Sequence, residues 1–320
     1  MLWSDLICGV LFLCQAGVGI LGNSVLLMVY VNVFLYQSHK KKPTDLIVTL
    51  LTLVNVTAAV TRGVPMAMVS LGMRINVDEV GCTVLFFTYR MSRGLSICIT
   101  CLLSMFQAVT ISPSTSRWAQ LKPRAPKYIL PSFLFFCILN LLMYLGIISS
   151  TQATRNVSDS KYTFISKHCS MLPSGSYVLM LVCYNAITLR DFLFVGLMSW
   201  ASGYMVIVLY RHHKQVQHIH STIISSTASP EIQATHTILL LVSCFVCFYL
   251  LNGTIVFYFG VTRGYDAHLQ NILAFVSACY PSFCPLVLIS KDSRVPKSHS
   301  FLRKLSNSSP TQPTSCHPTQ

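Results

Sequence analysis

Charged side chains are scarce in this chain. Only 10% of its 320 residues are Asp, Glu, Lys or Arg, whereas a soluble domain contains roughly 25%. Hydrophobic residues make up 53% of the chain, and the mean hydropathy is +0.59. A soluble enzyme of this composition would have too few charged residues for its surface. Disordered, collagen-like and small disulfide-linked chains have other compositions. The composition therefore indicates a membrane protein with several spans.

Catalytic motifs are also missing. The sequence contains no Ser/His/Asp set, no glycine-rich phosphate loop and no paired carboxylates within an apolar stretch, so nothing argues for an enzyme or a cofactor. Two Cys-x-x-Cys pairs, beginning at Cys98 and Cys244, lie within apolar stretches. We predict no metal site there, because no His or carboxylate accompanies them.

Seven long apolar stretches are present instead. They lie at about 6–35, 46–71, 81–111, 128–149, 184–210, 235–259 and 267–289. Each exceeds the roughly 20 residues that a membrane helix needs, and none shows the alternation of a membrane β-barrel. We predict an all-α bundle of seven helices over residues 1–289, followed by a disordered Ser/Thr/Pro-rich tail at 290–320. The halves show no internal repeat, which argues against a transporter.

The basic residues predict the orientation. The chain has 23 Lys and Arg against 9 Asp and Glu, an excess that in a soluble protein would suggest nucleic acid. Here 14 of the basic residues fall after spans 1, 3 and 5 or in the tail, and only 5 fall in the alternate loops. The positive-inside rule therefore predicts an outer N-terminus and a cytoplasmic tail, with lipid rather than nucleic acid as partner.

The longest predicted outer loop, residues 150–183, carries two candidate modification sites. Cys169 lies in it and Cys82 lies at the outer start of span 3. Both would face an oxidising compartment, so we favour a bridge between them over two free thiols. Asn156 begins an Asn-Val-Ser triplet in the same loop. It is the one such triplet both outside the spans and outside the cell, and we predict that it is glycosylated.

Four arginines within the spans form the candidate ligand site. Arg90 and Arg93 share one face of span 3, roughly 12–18 Å below Cys82. Arg62 and Arg190 fall in the outer halves of spans 2 and 5, where Asp191 is the only acid at that level. Ionisable groups in a membrane usually mark function. Two interpretations stay open: either Arg90 and Arg93 attract an anionic or strongly polar ligand group, or they bond backbone carbonyls and Asp191 between helices.

Several motifs resemble those of the vomeronasal type-1 pheromone receptors. The longest, in span 3, is Tyr89-Arg90-Met91-Ser92-Arg93-Gly94-Leu95-Ser96-Ile97-Cys98. Shorter ones are Gly22-Asn23-Ser24, Pro43-Thr44-Asp45-Leu46-Ile47, Ile129-Leu130-Pro131-Ser132-Phe133 and Pro285-Leu286-Val287-Leu288-Ile289-Ser290. As in that family, the Asp-Arg-Tyr and Asn-Pro-x-x-Tyr motifs of most rhodopsin-like receptors are missing. Tyr89 departs from the family, where His is expected.

The resemblance implies a plasma-membrane G-protein-coupled receptor for small pheromone-like molecules that signals to a Gi/Go-type G protein. Its ligand would bind in the outer half of the bundle, a site to which we also assign Tyr89 and Phe86. The basic inner loops would face the G protein or anionic lipid, although topology alone also explains them; their residues are Arg117, Lys122, Arg124, Arg211 and Lys214. The alternatives are a bitter-taste-like receptor and, more distantly, a transporter or channel.

Overall fold

Seven long helices make up nearly all of the structure, a computed structural model that describes residues 3–36, 42–73, 77–149, 151–154, 170–173, 177–219, 230–262 and 267–291. Spans 1 and 3 to 7 are the α-helices Trp3–Tyr36, Glu79–Ile111, Ala125–Ser149, Tyr177–Ile219, Pro230–Thr262 and Ala267–Lys291. Span 2 comprises Pro43–Ala58, a π-helical turn at Ala59–Gly63, and Val64–Ser70. Each span is long and apolar enough to cross a membrane, which confirms the predicted fold class.

The helices are longer than the apolar stretches that predicted them. Span 5 was expected at 184–210 but runs from Tyr177 to Ile219. An apolar stretch marks only the part of a helix that lies in hydrocarbon, and the helix continues through exposed polar residues such as Arg211. The tail from residue 292 onward lies outside the described residues.

Short elements that the sequence did not predict occur between the spans. A 3-10 helix covers Arg117–Leu121 after span 3. Strands β1 (Thr151–Thr154) and β2 (Ser170–Pro173) pair antiparallel between spans 4 and 5. Four residues are too few to show the alternation by which a strand is recognised.

Local capping fixes where spans 2 and 3 begin. The Asp45 carboxylate accepts the backbone N–H of Lys42 at 2.9 Å, just after Pro43 opens the helix. Asp78 caps span 3 by accepting the N–H of Gly81, also at 2.9 Å. Acids in the first turn satisfy free N–H groups and complement the helix dipole. Span 3 ends at Ile111, two residues before Pro113, because a proline disfavours helix in the residue before it.

Span 3 lies at the centre of the bundle. Of its apolar window, 72% is buried, compared with 22% in spans 4 and 5, and it packs against spans 2, 4, 5 and 6. We call the end of the bundle that contains Cys82 the Cys82 end, and the opposite end the Ser112 end. On the predicted orientation, the Cys82 end faces outward.

Buried polar pairs connect span 3 to its neighbours. Ser96 donates to Asn55 Oδ1 of span 2 (2.9 Å), Thr100 bonds to Tyr280 of span 7 (2.8 Å), and Gln107 donates to Thr235 of span 6 (2.9 Å). Because lipid is as apolar as leucine, helices in a membrane are held together by close packing and by such bonds, each worth about 0.6–2 kcal/mol.

Gly94 permits the closest approach of span 3 to spans 4 and 5. A Cβ at this position would overlap Asn140 Oδ1 and would lie 2.9 Å from Arg190 Nη1. Both of those side chains are fully engaged with each other, as described below. A glycine is therefore required here for packing rather than for backbone conformation.

We predict that Gly94→Ala lowers the stability of the folded bundle by about 1–3 kcal/mol through overpacking. Gly203→Ala in span 5 is the matched control, because its Cβ would meet nothing within 4 Å and alanine favours helix. Thermal unfolding in detergent provides the measurement. Equal unfolding midpoints for the two variants would contradict this account of Gly94.

Candidate functional site

The half of the bundle nearer the Cys82 end contains the four membrane arginines. Arg62 lies in the last residues of the π-helical turn of span 2, Arg90 and Arg93 lie in span 3, and Arg190 lies in span 5 beside Asp191. Among the described residues deeper in the spans than Asp78 and Glu79, one carboxylate in this half therefore stands against four guanidinium groups. The structure treats the four arginines differently.

Arg190 is fully paired. Its Nε and Nη2 donate to Asp191 Oδ1 at 2.9 and 2.6 Å, Nη2 also donates to Tyr144 Oη at 3.2 Å, and Nη1 donates to Asn140 Oδ1. Arg190 is 4% exposed and Asp191 8% exposed. Asn140 and Tyr144 belong to span 4, so this network joins span 5 to span 4. Its engaged donors favour a packing role for the pair.

Arg62 and Arg90 rest instead on aromatic rings. The guanidinium carbon of Arg62 lies 4.6 Å from the centre of the Tyr89 ring, and that of Arg90 lies 5.0 Å from the centre of the Phe86 ring. Such cation–π contacts are worth about 2 kcal/mol when desolvated. The Nε atoms of both arginines are buried without a hydrogen-bond partner.

Arg62, Arg90 and Arg93 have no ion-pair partner among the described residues. Within the described ranges, Arg190 and Asp191 form the only ion pair, so no carboxylate lies within 4 Å of Arg62, Arg90 or Arg93. Arg93 lies within electrostatic reach of Tyr89 and Asp191. Neither Arg90 nor Arg93 makes a direct bond to Asp191 there, whereas Arg190 bonds its Oδ1. The site is therefore net positive.

A cavity opens beside Arg62 and Tyr89, between spans 1, 2, 3 and 7. Tyr89 is 6% exposed, yet its hydroxyl has no partner among the described residues. The polar residues that line the cavity are Gln15, Arg62, Tyr89, Ser277 and Ser282. The cavity has a volume of about 20 Å³, and it offers a cation and a hydroxyl without a hydrogen-bond partner among the described residues.

Several of these residues escaped sequence reasoning. Gln15, Ser277 and Ser282 were not predicted, because single small polar residues are common in membrane helices and give no signal of their own. Asn140 could have been found, since an amide in the otherwise apolar span 4 needs a partner. The π-helical turn that carries Arg62 has no recognisable sequence pattern.

At the Ser112 end, aromatic side chains fix the segment after span 3. Trp118 of the 3-10 helix packs edge to face against Trp200 of span 5, with ring centres 5.8 Å apart. Ser112 and Tyr204 bond through their hydroxyls at 2.9 Å. The five basic residues predicted to face a G protein are all exposed near this end: Arg117, Lys122, Arg124, Arg211 and Lys214.

The family is decided by comparison with known proteins. The model of the vomeronasal organ pheromone receptor family matches residues 6–301 of the chain. The chain belongs to the vomeronasal type-1 receptor family. The sequence is 36% identical to human vomeronasal type-1 receptor 1 over 292 residues, covering 90% of this chain and 80% of that protein. It is 35% identical to zebrafish olfactory receptor class A-like protein 1 over 290 residues, covering 90% of each.

The same seven-helix fold is found in a solved structure. The crystal structure of squid rhodopsin superposes with a TM-score of 0.68 at 14% identity, covering 95% of this chain and 85% of that one. Family membership, together with the seven spans, makes the protein a multi-pass plasma-membrane receptor of the G-protein-coupled class, with a ligand and a G protein as partners. Receptors of this class are generally not enzymes, and family membership separates this one from transporters and channels.

The predicted modification sites of the receptor lie at the edge of what the structure describes. Cys82 is disulfide-bonded, and ten other cysteines, all within the spans, are free. Cys169 and Asn156 lie outside the described residues. Among the side chains that are described, no three His, Cys, Asp or Glu groups cluster as metal ligands.

We predict that Asp191→Asn destabilises the receptor by about 3–5 kcal/mol, because it leaves the buried Arg190 charge without its carboxylate. The double variant Arg190→Met/Asp191→Leu recovers much of that loss, since a buried pair can often be replaced by apolar residues of similar size. Surface expression and thermal unfolding measure both. A single variant that folds as well as the native receptor would show that the pair carries no packing role.

Proposed function

We propose that this receptor detects small pheromone-like molecules in the Cys82-end half of its bundle and signals to a Gi/Go-type G protein. The observation that carries the proposal is the set of three guanidinium groups within the bundle that have no carboxylate within 4 Å among the described residues. Burying an uncompensated charge in a membrane is unfavourable, and a ligand that supplies an anionic or strongly polar group offsets it. The names of the family and of its relatives support the pheromone class.

The ligand contacts are assigned to span 3 and its neighbours. Arg90 and Arg93 bind the polar part of the ligand, with Arg62, Tyr89 and Phe86 around it. Bidentate bonds from a guanidinium suit carboxylate and sulfate groups. Arg190 and Asp191 contribute by holding spans 4 and 5 in place at the same level.

A disulfide between Cys82 and Cys169 would anchor the outer loop over this site. Cys82 is bonded, and Cys169 immediately precedes β2, whose partner strand β1 packs against span 3. Of the cysteines outside the spans, Cys316 belongs to the predicted cytoplasmic tail. Asn156, between the two strands, is the proposed glycosylation site, consistent with an outer Cys82 end.

Tyr280 offers a route from the ligand site to span 6. Its neighbours in span 7, Ala278 and Pro281, line the cavity beside Arg62. The buried Tyr280 ring packs edge to face on Phe245 of span 6, with centres 4.6 Å apart, and its hydroxyl bonds to Thr100. A ligand that displaces span 7 would therefore act on spans 3 and 6 together, and would favour one arrangement of the bundle by population shift.

The G protein would bind at the Ser112 end. The exposed residues Arg117, Lys122 and Arg124 follow span 3, and Arg211 and Lys214 extend the helix of span 5. Packing of Trp118 on Trp200 holds the first group against the second helix. This surface is assigned to the G protein, with anionic lipid as a further contact.

Expression in a reporter cell tests the function. We expect at least one compound from a panel of sulfated steroids and volatile molecules to give a response that pertussis toxin abolishes.

Arg90→Gln and Arg93→Gln should weaken anionic agonists about tenfold or more while sparing neutral ones, because a charge-assisted bond is lost. Arg90→Lys is the matched variant, since it keeps the charge. A receptor that reaches the surface and stays silent, or a toxin-insensitive response, would contradict the proposal.

The proposed route through Tyr280 predicts strong coupling between two substitutions. Tyr280→Phe and Thr100→Val each break the bond between the two hydroxyls, and Thr100→Val also removes the 2.7 Å bond from Thr100 to the Ser96 carbonyl. Both should shift basal signalling in the same direction, and the effect of the double variant should be smaller than the sum of the two. A double-mutant cycle in the reporter cell measures the interaction, expected at about 0.5–1.5 kcal/mol. Strictly additive effects would mean that the pair does not act as a unit.

A further inference from the structure

Two unsatisfied groups face the cavity between spans 1, 2, 3 and 7. They are the buried Nε of Arg62 and the buried hydroxyl of Tyr89, neither of which has a hydrogen-bond partner among the described residues. A guanidinium N–H can only donate, and a tyrosine hydroxyl can donate as well. A group that satisfies both at once is therefore a hydrogen-bond acceptor, and beside a cation an anion is favoured.

The other polar residues of the cavity already have partners. Gln15 donates to the carbonyl of Phe275 at 3.0 Å, Ser282 donates to the carbonyl of Gln15 at 2.9 Å, and Ser277 donates to the carbonyl of Ala274 at 2.8 Å. The first two bonds join spans 1 and 7, and the third lies within span 7. The two groups without a hydrogen-bond partner therefore both lie on the side of the cavity that spans 2 and 3 form.

The backbone of span 2 is π-helical where it lines this cavity. The π-helical turn Ala59–Gly63 ends one residue after Arg62, and such turns occur frequently at functional sites. A Cβ on Gly63 would lie 3.0 Å from the Cβ of Ala16, so this turn packs tightly against span 1. Arg62 lies within this turn, and its guanidinium carbon lies 4.6 Å from the centre of the Tyr89 ring.

We propose that this cavity is an anion-binding subsite, in which Arg62 and Tyr89 hold a singly charged carboxylate or sulfate group. This inference rests on the proposed function, because it takes the anionic group to be part of the agonist. Arg90 is not one of the lining residues and lies on the Phe86 ring, so it contacts the polar part of the ligand outside this cavity. The inference adds Arg62 and Tyr89 to Arg90 and Arg93 as residues that select for charge.

The test uses purified full-length receptor in neutral-lipid nanodiscs, with sodium acetate as the probe and acetamide as its uncharged isostere. Acetate at ten times its apparent dissociation constant should raise the unfolding midpoint by about 2–4 °C, and acetamide should not. Arg62→Gln and Tyr89→Phe should abolish or strongly reduce this rise. Lys127→Gln, an exposed residue with the same change in charge, should keep it.

If Arg62 instead had a structural role, its replacement would lower the unfolding midpoint of the receptor in the absence of acetate. On the subsite account, Arg62→Gln raises the midpoint of the unliganded receptor, because the cost of a charge in the bundle without a carboxylate exceeds the roughly 2 kcal/mol contributed by its contact with the Tyr89 ring. A lowered midpoint, or an acetate effect that persists in Arg62→Gln, would overturn the proposal. Because no G protein is present, acetate binding by a receptor that is silent in reporter cells would count against the proposed function and not against the subsite.

Discussion

A guanidinium group buried in a membrane must find compensation, and this constraint organises the Cys82-end half of the receptor. Arg190 finds it in Asp191, Asn140 and Tyr144, and in doing so holds spans 4 and 5 together. Among the described residues, Arg62 and Arg90 contact aromatic faces and no carboxylate. The difference separates the paired arginine from the arginines that we propose to contact a ligand, although all four look alike in the sequence.

Span 3 makes this arrangement possible because it lies at the centre of the bundle. Gly94 lets it approach Asn140 and Arg190 closely, while Arg90 and Arg93 on the same helix stay unpaired by carboxylates. Further along, Thr100 and Gln107 bond to spans 7 and 6. One helix thus connects the proposed ligand site, the interhelical bonds and the surface at the Ser112 end, which is what a receptor that transmits a conformational change requires.

Much of the fold was predictable, because a helix that crosses the bilayer needs an apolar stretch of sufficient length, and such stretches can be recognised directly in the sequence. All seven spans follow from it, and the intramembrane arginines followed from their cost in lipid. The pairing of those arginines did not, because neighbours in space such as Arg190 and Asn140 are 50 residues apart. The π-helical turn at Ala59–Gly63 and the strands of the loop also escaped, since each depends on packing more than on local pattern.

An experimental structure of the receptor with a bound acidic agonist is the most direct test of the central claim. The account predicts that an oxygen of the agonist lies within hydrogen-bond distance of the Arg62 guanidinium or the Tyr89 hydroxyl, with the Arg190–Asp191 pair intact. An agonist bound elsewhere, with Arg62 paired to a carboxylate of the chain itself, would contradict it.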